Sequence, residues 1–220
     1  GKNATAGVVS FTTADPGDET EAMVRVSHEF KASTTQVEGI YSTPISDNFG
    51  VRLALRYTDM ADGYYDNAQK DPVPYSTFDV ATGELNTQFT QPFTSDQPAE
   101  EELLARLTLK WMPTDYLTAS LKYTHNESEA YNSSWNYQCW DSPTGRTSLA
   151  KDANGDGYAC AGNFETMQGN MPLNFAADFP NAKADGRMYN EYESDAVTLN
   201  LAWDFDNVSV TWVNNWQENE

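Results

Sequence analysis

The chain has 220 residues, 39% of them hydrophobic, and its 33 acidic against 13 basic side chains give a formal net charge of -20. No apolar run approaches the ~20 residues of a membrane-spanning helix, so helical spans are excluded. The acidic surplus repels phosphate and argues against nucleic acid as a partner. Strands that cross a bilayer escape the hydropathy test, because each shows only about 10 residues of alternating polarity.

In chain order, Gly1-Lys2-Asn3-Ala4-Thr5-Ala6-Gly7 leads into the strand-like Val8-Val9-Ser10-Phe11-Thr12-Thr13. Period-2 alternation then predicts seven half-buried strands, at roughly 21–31, 35–44, 49–59, 101–112, 116–126, 193–204 and 208–216. In the third, Phe49, Val51, Leu53, Leu55 and Tyr57 alternate with a face carrying Arg52 and Arg56. Leu103, Leu107, Leu109 and Trp111 repeat the pattern against Arg106 and Lys110, and Leu117, Leu121 and Tyr123 against Lys122. Val197, Leu199, Leu201 and Trp203 face away from Thr198, Asn200 and Asp204.

A soluble β-sandwich also alternates, so the connections decide. Those at Pro44–Asn48, Pro113–Asp115 and Phe205–Asn207 are short and rich in turn residues. The stretches at about 60–100 and 127–192 are far longer than the ~15 residues that compact soluble domains tolerate without structure. Short turns at one rim and long loops at the other mark outer-membrane barrels. Phe49, Trp111, Tyr116 and Trp203 fall beside the short turns; Phe30, Tyr57 and Tyr123 are expected near the opposite strand ends, as two interfacial girdles require.

Residues 1–13, the segment Val37-Glu38-Gly39-Ile40-Tyr41-Ser42-Thr43-Pro44-Ile45-Ser46-Asp47, and Phe49–Gly63 with its Asp62-Gly63-Tyr64 together resemble the TonB-dependent outer-membrane receptors. They correspond to the end of the plug and the first barrel strands, with Ala6 standing where a second glycine is common in that family. The resemblance implies an all-β fold: an antiparallel up-and-down transmembrane β-barrel fragment of about seven strands with long extracellular loops, preceded by the last plug strand. The domain division it implies is 1–16 for the end of the plug and 17–220 for the first part of the barrel, in a chain expected to lack both ends of the full receptor. It further implies a bacterial outer-membrane location and lipid contact. The TonB energy-transducing complex would be a partner, reached through a plug segment before Gly1.

Chemical motifs are few. His28 and His125 lack ligand spacing, and no nucleophile arrangement or phosphate loop is present, so the chain is not expected to be an enzyme and no catalytic residue is assigned. Cys139 and Cys160 are the sole cysteines, and the oxidising surroundings of an exported chain predict a disulfide between them. Closing that loop of about 20 residues contributes roughly 3 kcal/mol in the chain-entropy picture. Within it, Asp152, Asn154 and Asp156 open a calcium-loop pattern whose twelfth position is Asn163 rather than glutamate. A structural calcium ion and a simple Asn-Gly-Asp-Gly turn are both open readings; no other cofactor is called for. The loop aromatics Tyr64, Tyr65, Trp135, Tyr137 and Trp140 are the candidate ligand contacts, since flat rings suit sugars and planar chelates.

The function expected from the resemblance is TonB-dependent uptake of a scarce nutrient, a ferric siderophore or another bulky ligand such as an oligosaccharide. The alternative is a secreted or cell-surface β-rich ligand-binding domain, held by calcium and a disulfide, without transport.

Overall fold

The computed structural model of the chain describes residues 13–67, 74–89, 91–92, 98–131, 140–142, 145–147, 165–166 and 169–220. Seven strands form one antiparallel sheet in sequence order: β1 (Glu21–Glu29), β2 (Thr34–Ser46), β3 (Phe49–Met60), β4 (Ala99–Thr114), β5 (Leu117–Tyr131), β6 (Tyr189–Phe205) and β7 (Val208–Asn219). All seven coincide with the alternating segments, and the described residues are all-β apart from the single helical turn Leu173–Ala176. The sheet is open, with β1 and β7 as its edges.

Asp47–Asn48, Asp115–Tyr116 and Asp206–Asn207 join strands at one rim as two-residue turns. They are tighter than the sequence pattern indicates because Pro44 and Pro113 are absorbed into the strand ends. There the register shifts, between Pro44 and Ser46 and between Trp111 and Thr114, and an irregular ladder tolerates a residue without an N–H. The opposite rim carries the turn after Glu29 and the connections 61–98 and 132–188.

The burial pattern is inverted relative to a soluble domain. Among the described residues the only buried hydrophobic side chains are Ala32 and Ala176, whereas Ser42, Thr108, Ser120 and Ser194 are buried polar ones. Val24 is 78% exposed, and Leu53, Leu55, Leu107, Leu121, Trp111 and Trp212 are exposed as well. No helix among the described residues is long and apolar enough to cross a membrane, which leaves strand crossings untouched.

Candidate functional site

The cross-strand register turns the alternation into rows that run the width of the sheet. One row reads Ala22, Tyr41, Leu53, Leu107, Tyr123, Val197, Trp216 from β1 to β7. The next, one residue along each strand, reads Glu21, Ser42, Arg52, Thr108, Lys122, Thr198, Asn215. A single-residue step thus exchanges an apolar face for a polar one across seven strands, as the period of two requires.

The polar face is laced by charge pairs. Arg52 meets Glu21 at 2.7 Å, Arg25 meets Glu38 at 3.2 Å, and Arg56 meets Glu102 at 2.9 Å. Small residues between these long ones are covered by them, which is how Ser42 and Thr108 come to be 1% exposed in a single sheet. The hydroxyls of Thr34, Ser42 and Thr58 and the amide oxygens of Asn126 and Asn200, all on this face, are buried without a partner among the described residues.

Residues 13–18 cross the same face before the chain enters β1. The Lys122 ammonium donates to the Thr13 carbonyl at 3.3 Å and the Thr13 hydroxyl at 3.1 Å, and pairs with Asp15 at 2.8 Å. Pro16 is buried over Gly50, where an added Cβ would lie 2.8 Å from the proline Cβ. A cavity of about 240 Å³ lies under the segment, lined by Thr13, Ala14, Arg52, Ala54, Arg106 and Thr108. The sequence signal for this close approach was Gly50 itself, an isolated glycine in an otherwise strongly alternating strand.

Toward the long-loop rim the apolar face changes character. Asp59, Glu101, Glu129 and Glu191 stand directly opposite one another across β3 to β6, and Glu127 faces Glu193. Like charges directly opposed destabilise a ladder. Among the described residues one cation relieves the row: Lys183, from the turn that precedes β6, reaches Glu129 at 2.9 Å and lies 4.1 Å above the Tyr189 ring. The hydrogen bond from Lys183 to Glu129 holds the ammonium above its ordinary pKa. His125 and Asp195 are 3.1 Å apart, and with Glu193 their ligand atoms lie within 4.8 Å of one another. This belt was missed because the predicted strands stop near 101, 126 and 193, where polarity ceases to alternate although the strands continue.

The long connections are stitched together. Asp66–Asn67 pairs in parallel with Glu165–Thr166, and Gln91–Pro92 pairs with Gly169–Asn170. Lys31 in the turn after β1 meets Asp66 at 2.9 Å, and the Ser33 hydroxyl donates to Asp62. Tyr64, exposed, and Tyr65, half-buried, sit in this assembly. Trp135, Tyr137, Cys139, Asp152, Asn154, Asp156 and Cys160 lie outside the described residues, so the candidate calcium loop and disulfide do too; Trp140 is described only as part of a short backbone ladder with residues 145–147.

The aromatic bands require one correction. Tyr116 stacks on Phe205 at 5.8 Å beside the short turns, and Phe49 is opposite Trp111 there. Tyr123, however, is mid-strand opposite Leu107, because β5 runs on to Tyr131. The ring at the loop end of β5 is Tyr131, facing Tyr189.

Comparison with family models, curated proteins and solved structures returns no match for this chain.

Proposed function

We propose that this chain is part of an outer-membrane β-barrel that imports a bulky nutrient, a ferric chelate or an oligosaccharide, with energy delivered from the inner membrane through a TonB-type complex. The observation that carries the reading is the inversion of burial. A sheet that leaves leucine, tyrosine and tryptophan uncovered on one face, and buries serine and threonine on the other, suits lipid outside and a hydrated, occupied lumen inside. Two-residue turns at one rim, long braced loops at the other, and a segment preceding β1 that crosses the polar face all agree. A secreted binding domain would have to cover the apolar face with a second layer, and none of the described residues does so.

Ligand capture would fall to the stitched loops and the aromatics they carry. The test uses single cysteines, introduced after Cys139→Ser and Cys160→Ser, in the protein as it sits in isolated outer membranes. Leu53→Cys and Leu121→Cys should react with a lipid-soluble maleimide and resist a membrane-impermeant one, and cells lacking the protein should lose energy-dependent accumulation of ferric chelates or oligosaccharides. Equal labelling of both cysteines by the impermeant reagent would overturn the membrane placement; unchanged uptake of both ligand classes would overturn import.

A further inference from the structure

We propose that Lys122 and Gly50 form a seat that latches residues 13–16 onto the polar face, so that this strap is held by one ammonium group and one steric notch and is released as a unit when either fails. An ammonium has three donors, and the strap supplies three acceptors: the carbonyl and hydroxyl of Thr13 and the carboxylate of Asp15, at 3.3, 3.1 and 2.8 Å. All of them belong to the strap and none to the sheet. Lys122 is only 21% exposed, which limits the solvent screening of the pair.

The second half of the seat is steric. Pro16 has no N–H to give a ladder, so it is held by packing, and the notch that receives it exists because Gly50 has no side chain. The strap contributes no strand to the sheet, and the cavity beneath it, flanked by Arg52 and Arg106, leaves it bridged rather than packed along its middle. It is therefore fastened at two points, Lys122 on β5 and Gly50 on β3, and free of ladder bonds between them. Such a connection lifts when either fastening fails, while the sheet below keeps its own register.

The inference deepens the import reading, since the chain preceding residue 13 is the side on which a plug would be attached. Its test does not depend on that reading. Cleavage after Asp18 and Glu19 by a protease specific for acidic residues is followed in the full chain, with amide protection at Leu53 and Leu107 as the internal control for the sheet. Lys122→Met should speed cleavage in the strap by roughly tenfold or more, the scale of losing charge-assisted hydrogen bonds. Gly50→Ala, which leaves every charge in place, should release the same residues. Asp15→Asn should have a smaller effect, because Thr13 still accepts two bonds. Unchanged strap cleavage in both Lys122→Met and Gly50→Ala would overturn the latch, as would loss of protection at Leu53 and Leu107 in step with the strap, since that would mean the strap is not a separate unit. Uptake is not the readout, so failure of the import reading leaves this result interpretable.

Discussion

At the scale of the residue, two carboxylate environments make opposite predictions. Asp79 accepts hydrogen bonds from the amides of Ala81 and Thr82 at 2.8 and 3.2 Å, and these hold its carboxyl below the ordinary value of 3.8. A depressed carboxylate contributes stability that is present above its unfolded value and lost as pH falls through the lower folded one. Protection of the Ala81 and Thr82 amides should therefore collapse only below pH 3.8, and Asp79→Asn should flatten that dependence, as exchange measured across an acid series will show. Glu101 is the reverse case. It stands between Asp59 and Glu129 with no cation of its own among the described residues, so Glu101→Gln should raise the melting temperature, and the gain should shrink as salt screens the row. A fall in melting temperature would show that the carboxylate has a stabilising partner. Neither environment was legible in sequence. A turn aspartate can be recognised by type, but which carboxylates face each other depends on register, and register is set by turns whose length the prolines disguise.

At the scale of the element, the seven strands were readable because their two faces contrast sharply: Val51, Leu53 and Leu55 against Arg52 and Arg56 leave little ambiguity. Their ends were less so. Once β5 passes Asn126, both faces become polar, and periodicity carries no signal although the backbone ladder continues to Tyr131. The bracing of the loops was invisible, since two-residue ladders such as Asp66–Asn67 with Glu165–Thr166 have no periodicity at all. One of their supports hangs on a glycine. Gly186 has φ +82° and accepts a hydrogen bond from the Met171 amide at 2.8 Å, and an added Cβ there would collide with the Met171 carbonyl oxygen. Gly186→Ala should expose the Met171 amide to exchange and loosen the 169–187 region, with little change in the protection of β2 to β5. If β2 to β5 lost protection equally, the loops and sheet would be one cooperative unit.

At the scale of the whole molecule, the apolar face extends from Phe49 to Tyr57 along β3, about 26 Å at the usual strand rise. At the tilt of about 35–45° found in membrane barrels this would span roughly 18–21 Å, most of the apolar band of about 25 Å of an outer-membrane barrel. Leu121→Arg, in the middle of the apolar face opposite Leu109 and Leu199, should cost about 2–4 kcal/mol of folding stability in a bilayer. Thr118→Arg, on the polar face of the same strand, should cost much less. Equal penalties for the two, measured by denaturant titration in vesicles, would remove lipid from the apolar side. The sheet has a further property in its connectivity. Within the seven-stranded sheet the strands lie side by side in chain order, and the ladders that join segments distant in sequence belong to the long connections. Nothing within the seven strands therefore counts how many there should be: each hairpin repeats the same two-sided pattern and hands an identical edge to the next. The width of such a sheet is a matter of how many hairpins are appended. Lineages of this design can widen or narrow by duplicating or deleting a strand pair, without rewriting the register of any strand already in place.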